Sequence, residues 1–379
     1  MGSPGKTVLA ILAAPYALLM IVVGALYAID PLDLRPWSAS SPILDERGYP
    51  LQIRPLLLPA QLDRGGEVIL AGTSTGLRVT GENLGRLSPG GSGLNIAQAG
   101  LTAEATEKLF AEAARAPKLK RLVLEIGEYW RREKLGNSPF GKRVVQALAP
   151  QWWELPGFDA EMIEAYVNQQ RGGSFYIPDW SHEAGLLVPG PENELLPFQL
   201  AAVENARKLS DRSGYASDTA GFTCASFGRL LTSLEDAYRT AATRGVRVDV
   251  VFTPIPYSAM PLYWQQIGAE RDHAQLLDMH RCVVDQAALP GNEHVTIHAI
   301  NTDEQLVGDM RGMIDAFHYG APAKLERYVD LIESGETALT PANFGSYVSR
   351  LQRGILDALD RPVVGGKAGT PGRTRTGTS

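Results

Sequence analysis

Ser74 ends the segment Glu67-Val-Ile-Leu-Ala-Gly-Thr-Ser74, while Asp315 and His318 stand three residues apart in Ile314-Asp-Ala-Phe-His-Tyr319. These are the residue types that nucleophilic acyl chemistry needs. A serine hydroxyl attacks a carbonyl only when a base removes its proton, and imidazole serves as that base near neutral pH. A carboxylate beside the imidazole fixes its tautomer and stabilises the imidazolium formed during attack. Three-residue spacing brings the Asp315 and His318 side chains to one side of a turn. The predicted triad is therefore Ser74 as nucleophile, His318 as general base and Asp315 as orienter. A second pair, Asp179 and His182, has the same spacing. With 19 Asp and six His in the chain, chance alone gives about 0.3 such pairs. Placement separates the two: Asp179 and His182 follow no strand candidate and sit in an irregular stretch, whereas His318 follows the last strand candidate.

The elements that must position these groups read as an α/β fold. Apolar runs at Glu67–Gly72, Gly93–Ile96, Arg121–Ile126, Arg247–Phe252 and His294–Ile300 are strand candidates. Stretches with apolar spacings of three and four, Ala103–Ala114, Phe227–Thr243 and Leu262–Gln286, are predicted helices. Alternating strands and helices imply a parallel sheet, whose ligands sit outside the carboxyl ends of the strands. Ser74 lies at such an end. Residues 131–225 interrupt the alternation as an insertion carrying Trp152, Trp153 and Trp180. Those rings stack on a sugar substrate in one reading and pack a lobe core in the other.

Strand, then Gly-x-Ser, then a glycine-bearing second block, then a late Asp-x-x-His: in this order the chain resembles the SGNH, or GDSL-like, hydrolase superfamily. Val68-Ile-Leu-Ala-Gly-Thr-Ser74, Asn95-Ile-Ala-Gln-Ala-Gly100 and Asp315-Ala-Phe-His-Tyr319 are similar to a membrane-anchored branch whose members work beside membrane-bound O-acyltransferases on envelope polymers. The resemblance covers roughly residues 67–127 and 226–334. It implies a flavodoxin-like three-layer domain, with an oxyanion held by the backbone N–H groups of Ser74 and Gly100. Two departures stand out. Thr73 replaces the Asp of the first block, and Ile126-Gly127-Glu128 stands where Gly-x-Asn-Asp is expected, so one oxyanion donor is unassigned. Losing one such donor costs about 10²–10³ in rate.

Ahead of the domain, Thr7–Ala28 carries no charge over 22 residues, enough at about 1.5 Å per residue to cross a hydrocarbon core of about 30 Å. Lys6 precedes the run and Asp30 and Asp33 follow it, which predicts a single anchor with the remaining chain outside the cytoplasm. A cleaved signal peptide, cut near Val23-Gly24-Ala25, is the other reading. The expected organisation is residues 1–29 as stub and anchor, 30–66 as a proline-rich extended linker, 67–360 as the domain and 361–379 as a disordered tail. In an oxidising compartment Cys224 and Cys282, the only cysteines, form a disulfide or remain two buried thiols.

A net charge of −6 gives no basic stripe for a nucleic acid. Neither cysteine lies in a metal-ligand pattern, and Gly72-Thr-Ser-Thr-Gly76 lacks the Gly-Lys-Ser/Thr ending of a phosphate loop, so neither metal nor cofactor is expected. Glu125 and Glu128 form a candidate glycosidase pair, but strand-end carboxylates more often meet an arginine or solvent. The expected activity is that of a serine esterase or O-acyltransferase on an envelope polysaccharide, with a membrane-bound O-acyltransferase as partner. The alternative is a catalytically degenerate scaffold subunit of an acylation or export complex.

Overall fold

The computed structural model describes residues 54–98, 100–127, 139–149, 204–205, 208, 215, 219–261, 273–308, 310–313 and 318–360. Its centre is a six-stranded sheet: β1 Val68–Ala71, β2 Gly93–Asn95, β3 Arg121–Ile126, β4 Arg247–Phe252, β5 Val295–His298 and β6 Ala338–Leu339. The order is β2-β1-β3-β4-β5-β6, parallel throughout except for the antiparallel β6. The first five strands follow the 2-1-3-4-5 order of flavodoxin-like sheets. Strands covered on both faces read as continuous apolar runs, and every residue of β1 and β3 is buried.

Helices α1 Arg54–Arg64, α2 Gly81–Gly85, α3 Ala103–Arg115, α4 Pro139–Ala147, α5 Gly228–Ala242, α6 His273–Ala287, α7 Glu304–Val307, α8 Pro322–Ser334 and α9 Phe344–Asp360 surround the sheet. Ala105, Leu109 and Ala113 of α3, and Leu230, Leu234, Ala237 and Ala241 of α5, make apolar stripes buried between helix and sheet. On that face α6 stacks His280 on Phe252 at 3.6 Å. The opposite face meets α8: Arg121 of β3 donates to the Ile332 carbonyl, 3.2 Å away.

Five strands and three helices lie where the sequence predicts them, with ends that differ by a residue or two; of the third helix, residues 262–272 fall outside the described residues. Helices α2, α4, α7, α8 and α9 were not predicted, α4 falling inside the expected insertion, and two further elements differ. Arg54–Arg64, expected in an extended linker, is a helix despite Pro55 and Pro59, because Leu58 and Leu62, four apart, bury one stripe in the core. Strand β6 was not expected; two residues carry no periodic pattern.

Cys224 and Cys282 form a disulfide between the 3₁₀ turn Cys224–Phe227 and α6. In the chain-entropy picture, linking residues 58 apart contributes about 4 kcal/mol. Asp278 of α6 secures the same segment by accepting from the Thr219 hydroxyl at 2.6 Å and the amides of Ala220 and Phe222 at 2.9 and 3.0 Å. The apolar run Thr7–Ala28 and the tail lie outside the described residues, among which no helix is long and apolar enough to cross a membrane.

Candidate active site

Beyond β1 the chain turns through Gly72 and Thr73 into a 3₁₀ helix, Ser74–Arg78, so Ser74 stands half-buried at the carboxyl edge of the sheet as expected. A threonine at the N-cap ordinarily accepts from an amide of the first turn. Thr73 does not. Its hydroxyl donates instead to Oε1 of Glu125, the penultimate residue of β3, at 2.5 Å. Through Oε2 the same carboxylate accepts from the Tyr328 hydroxyl on α8 at 3.0 Å, and the backbone N–H groups of Thr73 and Gly76 favour its charged form.

Both glycines that bracket Ser74 are explained by the Glu125 side chain, Gly72 by its stem and Gly76 by its carboxylate. A Cβ on Gly72 would lie 2.5 Å from Glu125 Cβ, and one on Gly76 would lie 2.9 Å from Glu125 Oε2. The Gly-Thr-Ser-Thr-Gly run is short of side chains because Glu125 fills the space. Burial pushes the Glu125 carboxyl up to about 6, against the pull of its hydrogen bonds, and the residue has no solvent exposure. The expectation that a carboxylate here meets arginine or solvent is corrected: its partners are neutral and it is sealed. A sealed Glu125 cannot hand a proton to a glycosidic oxygen, and Glu128 lies outside the described residues.

The second block closes the other side of the turn. Past β2 the chain continues alongside β1, with Ile96 N donating to Leu70 O at 2.8 Å and Gln98 N to Gly72 O at 3.0 Å. Buried Asn95 donates from Nδ2 to the carbonyls of Gly76 and Val79 at 2.8 and 2.6 Å and accepts from Ala97 N at 2.9 Å. Gly100 follows with φ of 60°, a conformation that glycine adopts without steric penalty.

His318 stands half-buried on the approach to α8. Its neighbour Tyr319 is fully buried, bridges to Met313 and donates its hydroxyl to Pro254 O, just past β4, at 3.0 Å. Gly320 and Ala321 both donate to Gly312 O, at 3.1 and 2.8 Å, closing the loop. Burial, with the negative Glu125 second, pushes the phenols of Tyr319 and Tyr328 well above the ordinary range. The Ser74 turn and α8, which follows the His318 loop, therefore meet at one buried carboxylate. Among the described residues no hydrogen bond joins Ser74 directly to His318. Asp315, the Asp179 and His182 pair, and Trp152, Trp153 and Trp180 lie outside the described residues.

Sequence reasoning gave Glu125 only as half of a glycosidase pair and Thr73 only as a departure from the first block, and it missed Tyr328. One signal was present: an ionisable residue inside a run as apolar as Arg-Leu-Val-Leu-Glu-Ile must find hydrogen-bond partners on burial. Compared with models of known protein families and with curated proteins, the chain gives no match.

Proposed function

We propose that the chain is a serine-dependent acyl esterase or O-acyltransferase of SGNH type, acting on an ester of an envelope polysaccharide. The observation that carries this reading is the Ser74 turn at the carboxyl edge of β1, clamped by Glu125, which also accepts from Tyr328 of α8, the helix that follows His318. In the proposed reaction Ser74 Oγ attacks the acyl carbon while His318 takes its proton. The resulting oxyanion is held by the backbone N–H groups of Ser74 and Gly100. Collapse expels the alcohol, which takes the proton back from His318, and leaves the acyl group on Ser74. Water or a sugar hydroxyl then attacks the acyl-serine by the same proton path in reverse order. Asp315 orients His318 in this scheme.

A disulfide between Cys224 and Cys282 suits an oxidising compartment, in keeping with a domain held outside the cytoplasm by the apolar run Thr7–Ala28 beside a membrane-bound O-acyltransferase. The degenerate-scaffold reading draws on one observation of its own, that Ser74 and His318 are not directly hydrogen-bonded among the described residues. Apo serine sites commonly tighten only when substrate binds.

An active-site serine probe of the fluorophosphonate class separates the readings by intact-protein mass. The wild type should gain one adduct and Ser74→Ala none. His318→Ala should slow labelling by about 10³–10⁴, while His182→Ala stays close to wild type. An unlabelled wild type, or an adduct that survives Ser74→Ala, would sink the enzyme reading.

A further inference from the structure

We infer that Glu125 is a positioning residue for this reaction: its buried carboxylate sets the Gly72–Gly76 turn that presents Ser74 and ties that turn to α8, the helix that leads out of the His318 loop. The inference rests on the serine-acyl reading above and adds the anchor which that reading lacks.

Two hydroxyls donate to Glu125, one to each carboxylate oxygen, and the backbone N–H groups of Thr73 and Gly76 favour its charged form. An ionised carboxylate accepts at about four lone-pair sites and donates nothing, so it suits all of these groups. Glutamine offers half as many acceptor sites and an NH₂ group that faces the remaining donors. Hydroxyls can rotate to accept from that group, but a backbone N–H cannot. The turn must therefore shift to accommodate an amide, and Ser74 moves with it. Space enforces the same link from the other side, since Gly72 and Gly76 approach Glu125 so closely that neither tolerates a Cβ without displacement. Glu125 itself is sealed from solvent and reaches no substrate, so it acts through the Ser74 backbone.

Thr73 gives the departure from the family's first block a purpose. Its hydroxyl is the one side-chain donor from the turn to Glu125, so a serine at position 73 should preserve the clamp and an alanine should not. Tyr328 reports the other end. It belongs to α8, whose first residue lies four positions after His318, and its hydroxyl reaches the second carboxylate oxygen. One buried side chain thus spans from the nucleophile turn to the element that sets the base loop.

The test uses the full-length protein and measures the rate constant of fluorophosphonate labelling, together with kcat and KM on a small acetyl ester and the melting temperature. Glu125→Gln should label about 10²-fold more slowly, the scale of a misplacement near 1 Å, with kcat reduced, KM little changed and the fold retained. Thr73→Ala should lose about tenfold, and Thr73→Ser should recover most of that loss, a recovery that a purely structural role would not produce without a matching change in melting temperature. If Glu125→Gln does not fold, the Thr73 pair decides. A folded Glu125→Gln protein that labels at the wild-type rate, or equal rates for Thr73→Ala and Thr73→Ser, overturns the positioning role and leaves the serine reading standing. A wild type that takes no adduct at Ser74 removes both.

Discussion

Two buried carboxylates, Asp249 and Glu125, sit on adjacent strands and on the same face of the sheet, and the fold treats them in opposite ways. The register pairs Val123 with Asp249 and Glu125 with Val251, so Glu125 lies one same-face step nearer the carboxyl edge. Neither has any solvent exposure. Asp249 accepts from Arg121 at 2.5 and 3.2 Å, from His298 Nε2 at 2.8 Å and from Arg247 at 3.2 Å. Burial alone would raise its carboxyl, but the hydrogen bonds from His298 and Arg121, with the Arg121 charge, hold it below the ordinary value. Glu125 has neutral donors only and is pushed up to about 6. A buried ion held by two arginines and a histidine ties β3, β4 and β5 together. A buried ion surrounded by neutral donors at the strand ends costs stability and gains geometry, a trade expected of functional sites.

The largest effect expected from this contrast is on folding. Asp249→Ala leaves the Arg121 guanidinium, 10% exposed at its side chain, without its counter-ion, and breaking a buried pair in this way costs about 3–5 kcal/mol. Glu125→Gln removes a charge that has no cation to abandon, so its cost at neutral pH should be far smaller. Urea midpoints with unchanged slopes would measure both. Equal losses in the two variants would erase the distinction.

A second test follows from the pH dependence. The folded carboxyl of Glu125 lies at about 6 against 4.5 unfolded, so between those values the folded state binds more protons. Its contribution is therefore most favourable below pH 4.5 and is lost as pH rises through 6, by about 2 kcal/mol in all. Asp249 acts with the opposite sign: its depressed value gives stability above the ordinary aspartate range that is lost on acidification. Burial lowers His273 to about 4 and His280 well below 6.5, which also favours the fold at higher pH and weakens it as pH falls from 6.5. The raw stability curve mixes these signs, and the difference between wild type and Glu125→Gln isolates one of them. That difference should change by about 2 kcal/mol across pH 4.5–6. A flat difference would mean that Glu125 titrates as an ordinary carboxyl, and the contrast with Asp249 would lose its electrostatic half.

The sheet was legible because its parallel strands are buried on both faces and so write themselves as apolar runs; Val68–Ala71 and Arg121–Ile126 could hardly be read otherwise. Its carboxyl edge was legible at Ser74, which follows β1 by a short turn, whereas His318 lies well past β5, beyond a 3₁₀ turn and α7. Long-range satisfaction of polar groups was hidden. Glu125 finds Thr73 at a separation of 52 residues and Tyr328 at 203, and no local spacing encodes either meeting. Asp249, alone among apolar neighbours in Arg-Val-Asp-Val-Val-Phe, poses the same problem, and its solution lies in Arg121, 128 residues away, and His298, 49 away. A charge in a strand core announces that partners exist without saying whether they will be ionic or neutral, and that choice separates a structural carboxylate from a site carboxylate. Helix α1 was hidden for a different reason, because Pro55 and Pro59 argue locally against what Leu58 and Leu62 gain by burial.

The smallest expected effect sharpens the Asp249 side of the comparison. Arg247 also reaches Asp249 Oδ1 at 3.2 Å, but its side chain is 47% exposed, whereas that of Arg121 is 10% exposed. Water and salt screen an exposed guanidinium, and ordering its long side chain costs entropy, so such pairs are typically worth about 0.2–1 kcal/mol. Arg247→Gln should therefore lower stability by under about 1 kcal/mol, and most of that should vanish in high salt, since only exposed pairs are strongly screened. Arg121 is bound on all sides: it donates twice to Asp249 and once each to the carbonyls of Leu87 and Ile332. If Arg247→Gln proved as costly as Asp249→Ala, Asp249 would depend on its full set of cations and not chiefly on the sealed Arg121 and His298. The network would then extend to the solvent edge of β4, and burial would no longer be what sets Asp249 apart from Glu125.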